Sequence, residues 1–122
     1  MNLHEIGMAG EDLAAEYLIA KGYRILERNM RIGHLEIDIL ACDRDTLAVV
    51  EVKTRLSSLF GRAEEQISKR KRQALIRCAQ SIWASCPGWN VRVDVVAIAG
   101  RMTDEPSLDA VQIEHFIGVE LA

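Results

Sequence analysis

The stretch from Gly33 to Arg55, GHLEIDILACDRDTLAVVEVKTR, decides how the rest of this 122-residue chain can fold. It has the pattern of two β-strands joined by a polar turn, and the β-branched run before Glu51 is typical of a central strand. Three carboxylates and a lysine interrupt its apolar residues, namely Glu36, Asp38, Glu51 and Lys53. This combination predicts a divalent-metal site that acts on a phosphodiester.

The register of this hairpin decides whether its charged residues meet. Side chains alternate between the two faces of a strand, so Glu36 and Asp38 share one face and Glu51 and Lys53 share another. A turn of two residues, Arg44-Asp45, or a turn of four places Asp38 opposite Glu51. The same register places Glu36 opposite Lys53, and we therefore predict it. The other face of the first strand is then apolar and contains Leu35, Ile37, Ile39 and Ala41.

The residue types of the hairpin match the chemistry of a hard cation. Mg²⁺ and Mn²⁺ prefer carboxylate and water oxygens and take few protein ligands. Asp38 and Glu51 would supply two ligands, and the backbone carbonyl of Val52 would supply a third. A bound metal ion polarises a phosphate and lowers the pKa of its water, which Lys53 would hold or assist. The alternative is a set of surface ion pairs, such as Glu36 with Lys53.

The cationic side chains are concentrated in one part of the chain. The whole chain has a net charge of −3, but positions 52–77 carry eight Lys/Arg and two Glu, a net charge of +6. The remaining positions carry a net charge of −9. A basic stretch beside an acidic pocket is what a metal-dependent nuclease needs, since the metal offsets the charge of the pocket. A solvated helix with exposed cations is equally compatible with charge alone.

The remaining periodicity predicts one α/β domain over residues 1–122, with a mixed sheet flanked by helices. We expect helices at 7–21 and 63–85 and strands at 23–31, 91–99 and 111–117, in addition to the hairpin. Asp94, within the strand at 91–99, is expected to have a structural partner such as an arginine rather than a metal.

Composition restricts the location of the protein. No apolar run approaches the length of a membrane span, and the first residues lack the pattern of a secretory signal. The three cysteines, Cys42, Cys78 and Cys86, are scattered without zinc-ligand spacing and suit a reducing compartment. We therefore expect a cytoplasmic protein without membrane contact.

A carboxylate strand followed by E-x-K on the next strand resembles the PD-(D/E)xK nuclease superfamily. Five segments occur in order: GMAGEDLAAEYL, RILERN, EIDIL, VEVKTR and RVDVVAI. Together, from about Gly7 to Ile98, they resemble the YraN-like family of small bacterial proteins, which is related to Holliday-junction resolvases. The chain departs from that family at Leu35, where the family has glycine before the first acidic residue.

The resemblance implies a restriction-endonuclease-like fold with an αβββαβ core and nucleic-acid binding. It also implies that Glu11 approaches the active site as an additional metal or water ligand and that Lys71 contacts a phosphate. The expected function is a Mg²⁺- or Mn²⁺-dependent endonuclease acting on DNA, including branched DNA of the Holliday-junction type, as a homodimer. The alternative is a non-catalytic nucleic-acid-binding module with the same fold. The expected catalytic residues are Glu11, Glu36, Asp38, Glu51 and Lys53, and the expected nucleic-acid contacts are Arg55, Gln66, Ser68 and Lys71.

Overall fold

The computed structural model describes residues 1–56, 67–103 and 107–119. Two helices and five strands follow one another in the described chain. They are α1 (Leu3–Ala20), β1 (Arg24–Ile32), β2 (Leu35–Asp43), β3 (Thr46–Leu56), α2 (Lys69–Ser85), β4 (Asn90–Met102) and β5 (Leu108–Phe116). This order confirms the α/β class and the αβββαβ core of a restriction-endonuclease-like fold, with β5 following the core. The predicted helical residues 63–66 lie outside the described residues.

The described strands form one mixed sheet in the order β1-β2-β3-β4-β5. The pairs β1–β2 and β2–β3 are antiparallel, so the first three strands form a meander. The pairing of β3 with β4 is parallel, and β5 returns antiparallel beside β4. A parallel pair needs a crossover connection, and α2 lies in this connection. The sheet therefore places β3, with Glu51 and Lys53, at its centre.

Each helix covers one face of the sheet. The α1 layer buries Ala14, Ala15 and Leu18 against the sheet, and the α2 layer buries Leu75, Cys78 and Ile82. Because both faces of β3 are covered, its apolar residues are continuous rather than alternating. Within the part of the chain that the structure describes, neither helix is long and apolar enough to cross a membrane.

The first helix begins earlier than the sequence predicted. The Asn2 side chain accepts a hydrogen bond from the Glu5 backbone at 2.8 Å, and Glu5 accepts one from the Asn2 backbone at 3.4 Å. This reciprocal arrangement is a capping box, which satisfies two backbone donors at the start of the helix. The prediction placed the start at about Gly7 because it used apolar spacing and not this capping box.

The hairpin between β2 and β3 has the predicted register. Asp43 pairs with Thr46 around the two-residue turn at Arg44-Asp45, and the ladder continues to the pair Ile39–Val50. Arg44 adopts a left-handed conformation, with a φ of 59°. Such a conformation is usually left to glycine or asparagine in tight hairpins, so the buried faces of the strands, rather than the turn residues, determine this register.

The prediction that the apolar residues Leu35, Ile37, Ile39 and Ala41 share one face of β2 is wrong. Ile39 packs in the α1 layer, whereas Ile37 packs in the α2 layer. The neighbouring strand β1 changes face at the same level: Arg28 pairs with Ile39, Met30 pairs with Ile37, and Asn29 lies between them with a φ of 52°. A left-handed residue within an extended strand interrupts the alternation of side chains. The sequence-based prediction assumed that the alternation was regular.

Asp94 is the centre of a buried polar network in the α1 layer. It is 0% exposed and accepts hydrogen bonds from Arg92 Nε at 2.9 Å and from the Gly118 backbone at 3.0 Å. His115 Nε2 lies 2.8 Å from its other oxygen, and Arg92 also donates to the Tyr23 hydroxyl at 2.6 Å. The predicted arginine partner is confirmed. Burial opposes ionisation, but the hydrogen bonds from His115, Arg92 and Gly118 outweigh it and hold the pKa of Asp94 below its ordinary value.

We expect Asp94→Asn to lower the free energy of unfolding at pH 7 by about 3–5 kcal/mol, because it breaks a buried ion pair and leaves the half-buried Arg92 with only the more exposed Asp43 as its anion. A depressed folded-state pKa means that the carboxylate stabilises the fold above the unfolded pKa and loses this effect as the pH falls through the folded pKa. The difference in free energy of unfolding between wild type and variant should therefore become smaller below about pH 4. Urea unfolding at pH 7 and pH 3 measures both effects, with the exposed Asp109→Asn as the control. A difference that stays constant over this range would contradict the role of the Asp94 charge.

Candidate active site

The site begins where β2 and β3 separate. Their ladder ends at the pair Ile39–Val50, and the Asp38 side chain then accepts a hydrogen bond from the Val52 backbone at 2.8 Å. A side chain thus takes the place of the next strand-to-strand hydrogen bond at the point where the fork between the strands begins. Because the N–H and C=O of a strand residue point toward the same edge, the Val52 carbonyl also faces β2. The two predicted ligands Asp38 and Val52 are therefore next to each other.

Glu36 does not take its predicted place. The described pairs of β2 with β3 stop before Glu36 and Lys53 would meet. Glu36 instead forms an exposed ion pair with Arg31, with 3.7 Å between Nη2 and Oε2. The predicted opposition of Glu36 and Lys53 is wrong because the strands separate at Asp38. Glu36 stands at the rim, where it still adds negative charge near Asp38.

Glu51 is buried between two lysines. Only 4% of the residue is exposed. Lys53 Nζ lies 3.9 Å from Glu51 Oε1, and Lys71 Nζ, from the first turn of α2, lies 3.4 Å from Oε2. Both are ion-pair distances, but Oε2 has no hydrogen-bond partner among the described residues. One side of this carboxylate therefore remains without the directed donor that a buried oxygen needs.

The half-buried Asp38 opposes the ionisation of Glu51, whereas Glu51 favours the ionised form of Asp38 through a side-chain hydrogen bond. Burial, and then the charge of Asp38, raise the pKa of Glu51 to about 7, although Lys71 and Lys53 act in the opposite direction. Burial also raises the pKa of Asp38 above its ordinary value, against the hydrogen bond from Val52 and the charge of Lys71. Such a pair shares a proton until a further cation is present.

Glu11 adds a third carboxylate from α1. Its Oε1 is buried and has no hydrogen-bond partner in the described chain. Burial raises the pKa of Glu11, and the charge of Asp38 raises it further, while Arg28 lowers it. Arg28 itself is held by Asp12 of α1, with 2.8 Å between the charged atoms. The inward orientation expected for Glu11 is therefore present in the structure.

These residues fit a hard cation that keeps part of its water shell. Among the described residues, no three His, Cys, Asp or Glu side chains are close enough to hold a metal ion by themselves. Mg²⁺ commonly binds through one or two carboxylates and retains several waters. Asp38, Glu51 and the Val52 carbonyl would provide that number of protein ligands. The unsatisfied oxygens of Glu51 and Glu11 are the observation that supports the fit.

The residues expected to contact nucleic acid do not form one group in the structure. Lys71 lies inside the site against Glu51, closer to the carboxylates than a peripheral phosphate contact would require. Ser68 caps α2, because its Oγ accepts a hydrogen bond from the Lys71 backbone at 3.1 Å. Arg55 donates to the Thr54 carbonyl at 3.0 Å. Gln66 lies outside the described residues. The contact of Lys71 with Glu51 had no sequence signal, because it depends on the docking of α2.

The start of α2 is strongly cationic. Lys69 and Arg70 are exposed, and the first turn contains no acidic residue. Asp or Glu is the usual choice at this position, because the helix dipole places partial positive charge there. Four consecutive cations instead add to the dipole, so this end of the helix attracts anions.

Comparison with known proteins gives one consistent family. A family model described as "Uncharacterised protein family UPF0102" matches residues 10–98. The chain is 43% identical over 112 residues to a UPF0102 protein of Chlorobaculum parvum, which covers 90% of this chain and 87% of the relative. It is 42% identical over 116 residues to a UPF0102 protein of Chlorobium limicola, and the match covers 93% of this chain and 90% of that relative. A third UPF0102 protein, from Thermodesulfovibrio yellowstonii, is 44% identical over 95 residues, and the match covers 77% of this chain and 85% of that relative.

The raised pKa of Glu51 predicts a pH-dependent stability in the absence of metal. Because the folded-state pKa is raised from 4.5 to about 7, ionisation of Glu51 opposes folding as the pH rises through this window. We expect Glu51→Gln to be nearly neutral at pH 4.5 and to stabilise the fold by roughly 2–3 kcal/mol at pH 8. Urea unfolding in EDTA, followed by tryptophan fluorescence, measures the difference. The exposed Glu16→Gln is the control, and an equal effect of Glu51→Gln at both pH values would contradict the burial of an ionised Glu51.

Proposed function

The chain belongs to the uncharacterised protein family UPF0102, the YraN-like family, and we propose that it is a Mg²⁺- or Mn²⁺-dependent endonuclease that hydrolyses phosphodiester bonds in DNA. One observation carries this proposal. The half-buried Asp38 and the buried Glu51, two carboxylates with raised pKa values, meet at the fork between β2 and β3 beside Lys53. A cluster of this kind is costly as a structural element and becomes favourable when it binds a cation.

Each residue has a role in this reaction. Asp38 and Glu51 would hold the metal with the Val52 carbonyl, and the hydrogen bond from the Val52 backbone fixes the orientation of the Asp38 carboxylate. When bound, the metal polarises the phosphate and supplies a water of lowered pKa. Lys53 stands 3.9 Å from Glu51 and is placed to orient the attacking water or to stabilise charge on the phosphate. Lys71 lies on the other side of Glu51 and would neutralise a phosphate oxygen.

The surface beside the site supports an anionic polymer as substrate. Lys69 and Arg70 are exposed in the first turn of α2, directly before Lys71 in the sequence. Positive side chains on this turn add to the helix dipole and attract phosphates without reading base sequence. A backbone of phosphates could thus run along the start of α2 while one phosphodiester enters the site.

Branched DNA and a homodimer belong to the same proposal. Resolution of a four-way junction requires two cuts on opposite strands, so two copies of this single site must act together. Trp83, on α2, is 64% exposed and is available for such a contact. Sedimentation of the protein with and without a four-way junction measures the stoichiometry, and a single copy on each junction would contradict paired cutting.

A non-catalytic nucleic-acid-binding module is the second candidate. The observation that favours it is the pair of lysines, Lys53 and Lys71, which already partly neutralise Glu51. In such a module the lysines replace the metal permanently, and the acidic pocket serves only to position them. This candidate predicts DNA binding that Mn²⁺ does not change and no cleavage.

We expect Asp38→Asn to remove Mn²⁺-dependent cleavage, with kcat lowered roughly 100-fold or more, because the amide retains the shape of the side chain but loses the charge that binds metal. The assay uses labelled linear, flapped and four-way-junction DNA with Mn²⁺ and with EDTA. Asp109→Asn, at an exposed position of β5, should cleave as the wild type does. Binding without cleavage by the wild type would favour the non-catalytic module.

We expect the double substitution of Lys69 and Arg70 to Gln to weaken DNA binding for all sequences alike. Each lost phosphate contact should reduce the slope of log K against log salt by about 1, because one fewer counterion is released. Fluorescence anisotropy between 50 and 200 mM salt, as a rough working range, measures this slope. Arg101→Gln, which removes an exposed cation at the end of β4, is the matched control. An unchanged slope in the double variant would place the DNA on another surface.

A further inference from the structure

The first helix approaches the sheet most closely at a glycine. Gly10 is buried, and a Cβ built on it would overlap Thr54 Oγ1 of β3. The same Cβ would lie 2.8 Å from both Thr54 Cβ and Thr54 Cγ2, where real side chains do not approach. The overlap includes the Cβ of the threonine, so rotation of its side chain cannot relieve all of it. Any residue other than glycine at this position must therefore move the helix or the strand.

A second glycine on the same helix has no such contact. A Cβ built on Gly7 would have nothing within 4 Å. Glycine is the least favourable residue in a helix interior after proline, so neither position is explained by helix propensity. Close packing explains Gly10 and leaves Gly7 available as an internal control.

The close approach at Gly10 bears directly on the site. The next residue is Glu11, whose Oε1 is buried without a hydrogen-bond partner among the described residues and which interacts electrostatically with Asp38. Thr54 follows Lys53 on β3, so the contact joins α1 to the strand that carries Glu51 and Lys53. The depth of α1 against β3 thus sets how far the Glu11 side chain reaches toward the carboxylates.

We propose that Gly10 is a positioning residue, which seats α1 against Thr54 so that the Glu11 carboxylate faces Asp38 and can bind a water of the cation that Asp38 and Glu51 would hold. This inference rests on the proposed metal-dependent function and deepens it. A methyl group at Gly10 pushes the helix outward and withdraws Glu11, whereas the other carboxylates, which stand on the sheet, stay in place. Gly10 acts only through Glu11 and touches neither metal nor substrate.

A double-mutant cycle separates this role from ordinary packing. The variants are Gly10→Ala, Glu11→Gln and both together, and the readouts are the Kd for Mn²⁺ from calorimetry and kcat on DNA. We expect Gly10→Ala to weaken Mn²⁺ binding and to lower kcat by roughly 10- to 100-fold, as displacements of about 1 Å do in active sites. In the Glu11→Gln background the same substitution should have no further effect on either quantity. Equal losses in both backgrounds, or no loss at all, would overturn the proposal.

Two further variants keep the test decisive if Gly10→Ala folds poorly. Glu11→Asp withdraws the carboxylate by one methylene without touching the contact of Gly10, and it should reproduce the loss in Mn²⁺ affinity. Thr54→Gly, added to Gly10→Ala, removes the atoms that the new methyl meets and should restore part of the affinity. Gly7→Ala should leave Mn²⁺ binding unchanged. Wild-type affinity in Glu11→Asp, or the absence of any rescue by Thr54→Gly, would count against positioning.

The two readouts distinguish failure of this inference from failure of the nuclease. Gly10→Ala is expected to weaken Mn²⁺ binding in the wild-type background but not in Glu11→Gln. If it does so while the wild type does not cleave DNA, Gly10 positions a metal site and the proposed endonuclease function is wrong. If cleavage depends on Asp38 but not on Glu11, the nuclease stands and the role of Gly10 is wrong. If the wild type does not bind Mn²⁺, both are wrong.

Discussion

The hydrogen bond from the Val52 backbone to the Asp38 carboxylate is the contact on which the site depends. It lies at the last level at which β2 and β3 are joined, so it ends the ladder and opens the fork in one step. The separation of β2 from β3 must leave no backbone donor unpaired, and β3 must stay paired with β4 to keep Glu51 in place. A side chain that satisfies the backbone donor at the fork meets both requirements, because the open edge then has no unpaired N–H at this position.

The three acids of the site are buried or half-buried, and they stand on different elements of the fold. Asp38 and Glu51 stand on neighbouring strands, Glu11 faces Asp38 from α1, and Lys71 lies against Glu51 from α2. Burial raises the pKa of all three carboxyl groups, and the charge of Asp38 raises the pKa of Glu11 and of Glu51 further. Ionisation of these acids therefore opposes folding, and the two apolar layers must offset its cost.

Asp94 shows the opposite solution to the same problem. It is as buried as any residue of the site, but Arg92, His115 and the Gly118 backbone direct hydrogen bonds at both of its oxygens. Its pKa is lowered rather than raised. Two aspartates of one sheet thus differ in their partners, and the partners decide the direction of the pKa shift: Asp94 has an arginine, a histidine and a backbone donor, whereas Asp38 lies beside other acids. The fully bonded Asp94 carboxylate ties β4 to β5 and to the residues that follow it.

The sequence by itself determined the class of the fold, the order of its elements and the hairpin register that places Asp38 beside Glu51. These follow from the alternation of apolar residues and from the two-residue turn, which are local properties. It also identified Asp94 as structural, since arginine stood two residues away on the same face.

Two local predictions were wrong, the face of Ile37 and the pairing of Glu36 with Lys53. Both assumed that the strands continue regularly past Asn29 and Asp38. How deeply α1 and α2 dock, and hence that Glu11 faces Asp38 and Lys71 lies against Glu51, depends on tertiary packing. Docking depth depends on contacts between residues far apart in the chain, such as Gly10 with Thr54, and no spacing within a single element encodes it.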